Sequence, residues 1–143
     1  MTKAPSQQQL HQQLVTCMRG EWHSMVVVPA SPGSSGAMIA NALVEVSTLV
    51  RGKKAKLFST EGLEVNDVSR VIVDMMQHLG TGGLAIVSID SVLEAQAGIP
   101  LTLAVDVALL VVQLGVTQIA DAKRTVELVG AKKFLGAVTV ESA

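Results

Sequence analysis

Three short apolar runs constrain this chain more than any other feature: Met25–Val28, Leu84–Ile89 and Val107–Val112. Apart from Ser88 they carry no polar residue, so neither face of such a strand can lie against water. Strands of this kind occupy the middle of parallel sheets that have helices on both sides. Ala55–Phe58 and Phe134–Val140 supply two more strands. Helical patterns separate them. Gln7–Met18 places Leu10, Leu14 and Cys17 or Met18 on one face, and Ala37–Val50 is apolar on most sides and expected to be largely buried. Asn66 or Asp67 opens a helix with Val68, Ile72, Met75 and Leu79 at three-four spacing, and Arg70 stands four residues before Asp74, a spacing suited to an exposed ion pair. Thr117 is placed to cap a last helix that buries Ile119, Ala122, Val126 and Val129. Ser91–Val105 is mixed, and Pro100 limits any helix there to short pieces. The alternation predicts an α/β fold: a three-layer sandwich around a mainly parallel sheet of about five strands with right-handed crossovers.

The rest of the chain excludes several classes. With 143 residues, 49% hydrophobic and 16% charged, it is too apolar for disorder and suits one domain, taken as 10–143 after a flexible Gln-rich tail, 1–9. A net charge of −1 gives no general attraction to nucleic acid or anionic lipid, so neither is expected as a partner. Arg51, Lys53, Lys54 and Lys56 cluster beside Gly52 and read as a solvated helix-to-strand turn. Asp106, Gln113 and Gln118 interrupt the longest apolar stretch, so no direct membrane insertion is expected. The N-terminal residues lack a signal-peptide core and Cys17 is the lone cysteine, which fits a cytoplasmic protein. His11, His23 and His78 lie in separate segments, the first and last on polar helix faces, with no metal-ligand spacing. Cys17 faces a helix stripe and reads as buried, Trp22 as core or edge cover, and the Gly80, Gly82, Gly83 group as a turn.

One segment has the outline of a phosphate-binding loop. Strand Met25–Ala30 runs into Ser31-Pro32-Gly33-Ser34-Ser35-Gly36 and then into the helix start Ala37-Met38-Ile39-Ala40. A strand, a Gly/Ser turn and a helix N-terminus in that order cradle phosphate with backbone N–H groups. Here Ala37 and Met38 stand where a lysine and a hydroxyl would bind phosphate and magnesium. Pro32, Gly33, Ser34, Ser35 and Gly36 are therefore candidates for a vestigial binding loop without the cation that stabilises a transferring phosphoryl group. Asp90, after the second apolar run, is the other candidate. It would orient magnesium if a nucleotide bound, and a strand-end Asp is also a common cap or turn residue. No acid–base pair or activated nucleophile is visible, so no catalytic residue, metal or resident cofactor is expected; ATP or ADP with magnesium is the ligand class the loop's shape suggests.

In order and spacing these segments resemble the cytoplasmic P-loop ATPase domain of bacterial tyrosine autokinases and polysaccharide co-polymerases, relatives of the MinD and ParA ATPases. The resemblance runs from Leu10 to Val140. Val26–Asn41 is similar to that family's first strand, phosphate loop and Asn-containing helix. Leu84–Val92 is similar to its Walker B strand, with Asp90 as the acid, and Leu93–Asp106 to its variable stretch. Val107–Val112 with Gly115 and Thr117, and then Leu135–Val138, resemble its fourth strand, following helix and terminal strand. The resemblance implies a P-loop NTPase-like sheet of order 2-3-1-4-5. The departures concern chemistry. The lysine position falls on Ala37 or Ser35, an Asp-rich motif is replaced by Ser59-Thr60-Glu61 with Glu61 displaced, and Val140 stands where an Asn reads the base. The oligomerisation helix has Gln8, His11 and Leu14 in place of a Glu and two Arg, and the absence of Tyr rules out tyrosine autophosphorylation of this chain. What the resemblance implies is a catalytically inactive homologue, an accessory or scaffold in exopolysaccharide biosynthesis or export. It would be held at the inner membrane by a membrane-bound chain-length or export protein, and would form a homo-oligomer. A non-hydrolysing nucleotide or phospho-ligand sensor, and an enzyme of unrelated chemistry, are the alternatives.

Overall fold

Alternate side chains of the central strands enter opposite cores, and this sets the layers. In the computed structural model, which describes residues 7–52 and 54–141, strand β1 (Ser24–Pro29) is buried along its whole length. Met25 and Val27 pack into one core and Val26 and Val28 into the other. β3 (Leu84–Ser88) and β4 (Val107–Leu114) flank β1, and β2 (Ala55–Ser59) and β5 (Phe134–Glu141) form the edges. All four pairings are parallel, in the order β2-β3-β1-β4-β5. The expected α/β sheet and strand order are what the chain adopts.

The helices divide by face. α1 (Gln7–Cys17) and α2 (Ala37–Arg51) cover one side, where Leu14, Met18, Ile39, Leu43 and Val46 meet Met25, Val27, Ile86 and Leu109. α3 (Val68–Gly80), α4 (Gly98–Ala104) and α5 (Ile119–Val129) contribute Met75, Leu101 and Val129 to the other, against Val26, Val87 and Ala108. Met25, Leu43, Met75, Ile86 and Leu109 are fully excluded from water, and burial of side chains of this size stabilises the fold by about 1.5–3 kcal/mol each. Pro100 sits in the first turn of α4, where its missing N–H costs no helical hydrogen bond.

Several local expectations are corrected. α1 starts at Gln7, inside the segment expected as a tail; residues 1–6 of that tail lie outside the described residues. Leu14 is core, so the apolar face of α1 is consumed by the fold. α2 is amphipathic rather than largely buried, with Met38 and Leu49 exposed, and in α5 Ile119 is exposed while Thr125 is buried. A 3₁₀ turn, Val65–Asp67, precedes α3, whose N-cap Asp67 makes no side-chain capping bond. Arg70 and Asp74 are both exposed and form no ion pair; among the described residues His23 Nδ1 lies 3.9 Å from the Asp106 carboxylate. His78 does not face solvent alone, since its ring packs edge-on against Phe58 with centroids 6.3 Å apart. Gly83 lies so close to that ring that an added Cβ would come within 2.4 Å of it.

Arg51 departs most from expectation. The sequence groups it with Lys53, Lys54 and Lys56 as a solvated cluster, yet its guanidinium folds back over the chain. Nε donates to Met18 O at 2.7 Å, and the two terminal nitrogens donate to Gly20 O and Trp22 O. The group also lies 4.3 Å from the centre of the Trp22 ring, whose own Nε1 donates to Cys17 O at 2.8 Å. Met18, Gly20 and Trp22 belong to the α1–β1 connection, and Cys17 O is the last carbonyl of α1, one of those helices leave unpaired. Trp22 is therefore core, bound into the α1–β1 connection. Lys53 lies outside the described residues.

Candidate functional site

β1 lies between β3 and β4, so the chain leaves its carboxyl end at the point where the sheet's connections diverge. Ligands of open α/β sheets bind in the crevice at such a point. The segment there is the expected phosphate loop, Ser31–Gly36.

Its backbone is that of a tight turn. Ser34 N donates to Ser31 O at 3.2 Å, Pro32 occupies the second turn position, and Gly33 occupies the third with φ +79°. Proline then glycine with a positive φ is the signature of a type II β-turn. The P-G pair signals this in the sequence. Gly33 and Gly36 are three residues apart, whereas the glycines of a phosphate loop are five apart. Gly36 has a packing role as well. A Cβ there would lie 2.7 Å from Val27 Cγ1 and 3.0 Å from Val27 O, so only glycine lets α2 start this close to β1.

Gly33, Ser34 and Ala37 N–H and the three serine hydroxyls of the loop are engaged by this chain's own residues. Gly33 N–H donates to Glu94 Oε1. Ser35 Oγ donates to Glu61 Oε1 at 3.0 Å and accepts from Ala37 N–H at 3.1 Å, which gives α2 a cap its Gly36 N-cap cannot provide. Ser34 Oγ donates to Gln113 Oε1 at 3.0 Å, and the Ser31 and Thr117 hydroxyls hydrogen-bond to each other. Thr117 Oγ1 also accepts from Gln113 N–H at 2.8 Å. Thr117 thus ties the β4–α5 connection to the loop instead of capping α5, whose N-cap is Gln118.

Asp90 and Glu61 meet beside the loop. Asp90 forms an isolated antiparallel bridge with Ser35, and its carboxylate accepts from Gly62 N–H at 2.7 Å, holding the turn Thr60–Leu63. The Glu61 carboxylate also accepts from Ser59 Oγ at 2.7 Å. Burial pushes the Glu61 carboxyl up, but neighbouring Ser88, the Ser59 and Ser35 hydroxyls and its own backbone favour the ionised form and hold it below the ordinary range. The buried Ser88 Oγ makes no hydrogen bond within normal geometry, so it acts on Glu61 as a nearby dipole. Two residues past the end of β2, Glu61 nonetheless reaches the loop.

The resulting electrostatics oppose phosphate. Glu61, Asp90 and Glu94 hold the loop, and among the described residues none of its hydrogen-bond partners is a lysine or arginine. Nor do these carboxylates gather a cation: among the described residues no group of three His, Cys, Asp or Glu side chains is placed to hold a metal ion. On the other side of the loop, Gly33–Ser35, Met38, Ile39, Val111, Gln113, Val140 and Glu141 line an open groove of about 280 Å³. Met38, Ile39, Val111 and Val140 give it an apolar side, the serines and Gln113 a polar one, and Glu141 adds another negative charge.

Of the candidates named from sequence, Gly33, Ser34, Ser35 and Asp90 are brought into one network, Pro32 shapes the turn and Gly36 serves packing. Glu94, Gln113, Thr117 and Ser59 join them without having been singled out as site residues. Gln113 was visible as the polar end of an apolar strand; Glu94 lies in a stretch without periodicity, and only the fold brings it to Gly33.

No family model matches this sequence, and no curated protein matches it. The fold is similar to that in the crystal structure of the chimerical protein CapA2B2, with a TM-score of 0.74 over 96% of this chain and 85% of that one. Sequence identity is 13%, so the likeness is one of fold. Among the described residues no helix is long and apolar enough to cross a membrane.

Proposed function

We propose that this chain is a catalytically inactive relative of the polysaccharide-assembly P-loop ATPases, acting as an accessory or scaffolding component of bacterial exopolysaccharide biosynthesis or export. The observation that carries the inactive half of this reading is the loop itself: its turn N–H is bound by Glu94, its Ser35 hydroxyl by Glu61, and among the described residues no cation is hydrogen-bonded to it. A phosphoryl group there would meet carboxylates where transfer requires positive charge. The polysaccharide half rests on the order of segments that resembles the co-polymerase ATPases, supported by a fold shared with CapA2B2. In this reading the protein works in the cytoplasm, recruited to the inner membrane by a chain-length or export protein, and binds no resident cofactor.

The test pairs turnover with phenotype. Purified protein with ATP and magnesium should show no hydrolysis that depends on Asp90, and deleting the gene should alter the amount or length of surface polysaccharide. Wild type and Asp90→Asn, which keeps the acceptor for Gly62 N–H, should restore the phenotype equally. Turnover abolished by Asp90→Asn overturns the inactive reading, and an unaltered polysaccharide overturns the assignment to that pathway.

The groove beside the loop favours a second reading, a non-hydrolysing sensor. Its apolar side and the Gln113 amide suit a flat, weakly polar body such as a nucleoside better than a polyphosphate. Saturable nucleoside binding lost on Gln113→Ala, without hydrolysis, marks this case.

A further inference from the structure

The two edges of the sheet are built differently. β2 is five residues long, with exposed Lys54 before it and exposed Lys56 within it. Short strands and lysines are common protections of a sheet edge. β5 is eight residues long, Phe134-Leu-Gly-Ala-Val-Thr-Val-Glu141, with neither proline nor charge before its last residue. It hydrogen-bonds to β4 on one side and ends the sheet on the other. Leu135, Gly136 and Ala137 are exposed, and Leu135 retains 42% of its surface. α1 packs over one face of this strand, but among the described residues no strand pairs with its outer edge. A long uncharged edge of this kind is a template for another strand.

Charge placement selects the strand. Lys132 and Lys133 stand immediately before β5, and Glu141 ends it. A segment positive at one end and negative at the other is complementary to itself when antiparallel. Centred on Ala137, the pairing sets Lys133 opposite Glu141, Phe134 opposite Val140, Leu135 opposite Thr139 and Gly136 opposite Val138. We infer that β5 is a homodimer interface, at which two copies join edge to edge about a two-fold axis at Ala137 into one ten-stranded sheet. A register shift in the β4–β5 ladder lies at Leu135, inside the paired window, while Gly136–Glu141 are regular; Lys133, in the 3₁₀ turn before β5, donates from Nζ to Leu103 O at 3.5 Å and exchanges that acceptor for Glu141 in the dimer. This inference is independent of the proposed function.

Sedimentation of the full chain across concentrations tests it. A dimer is expected, and Ala137→Lys, which sets like charges together at the axis while replacing an exposed side chain, should weaken it roughly fivefold to tenfold without lowering the melting temperature. Glu141→Lys should also weaken the dimer, and adding Lys133→Glu to it should restore association, because the swapped pair is again complementary. A monomer up to about 1 mM, a dimer unmoved by Ala137→Lys, or a double variant no stronger than Glu141→Lys overturns the inference.

Discussion

The two ends of the sheet handle charge differently: the amino ends use a cation and a carboxylate, the carboxyl ends three carboxylates. At the amino ends of the strands one cation, Arg51, gathers carbonyls of the α1–β1 connection, and Asp106 accepts the His23 N–H at 2.8 Å and Ser24 N–H at 3.3 Å. At the carboxyl ends, where a nucleotide-handling sheet holds phosphate, Glu61, Asp90 and Glu94 bind hydroxyls and N–H groups, with no cation among the loop's partners in the described residues. Opposite signs of charge thus do the same job, satisfying backbone groups that turns and helix ends leave unpaired. The comparison teaches that a loop can keep the outline of a phosphate cradle for structural reasons. Gly33 serves a β-turn, Gly36 a close helix–strand approach, and the serines bond to carboxylates, an amide and a hydroxyl.

The sharpest way to break this comparison is at Gly36. Gly36→Val forces a side chain against Val27 Cγ1 and its carbonyl, and overpacking of this kind costs about 3 kcal/mol, read as a fall in the denaturation midpoint. A tolerated valine would show that the glycine is not there for packing. At the opposite end, Arg51→Ala removes three donors and the contact with Trp22, and should cost about 2 kcal/mol, a drop of roughly 6 °C in melting temperature. Arg51→Lys should recover only part of it, because an ammonium cannot reproduce the planar fork. Glu61→Gln should destabilise by about 1 kcal/mol near neutral pH. Because its folded carboxyl lies below the ordinary range, this contribution is full above the unfolded pKa and is lost as pH falls through the lower folded value. The melting-temperature gap between wild type and Glu61→Gln should therefore close on acidification below about pH 4. The smallest effect belongs to Arg70→Ala, within about 0.5 kcal/mol, since Arg70 and Asp74 are exposed and unpaired with each other.

The parallel sheet was legible because burial on both sides leaves a plain mark, and its strand order was what the resemblance implied. Met25–Val28, Leu84–Ile89 and Val107–Val112 have nowhere to go but the centre. Side-chain roles at element ends were less legible, because they depend on partners distant in sequence. Arg51 looked solvated beside three lysines, yet its acceptors lie 29 to 33 residues away. Thr117 fitted a helix cap by spacing, yet Ser31 and Gln113 N–H hold it. Ile119 matched the buried stripe of α5 but falls in its first turn and is exposed. The loop was legible in outline and misread in detail. Its P-G turn and its shorter glycine spacing were in the sequence, whereas the approach of Glu94 and Glu61 required the fold.

The central claim is that a loop whose Gly33 N–H and serine hydroxyls are bound internally, beside Glu61, Asp90 and Glu94, presents no phosphate site. Calorimetric titration with ATP, ADP and GTP, with and without magnesium, tests it most directly. The account predicts no saturable heat and no thermal stabilisation at ligand concentrations up to about 1 mM. Micromolar binding strengthened by magnesium and lost on Asp90→Asn would contradict it, because a polyphosphate would then be held where carboxylates now hold the loop.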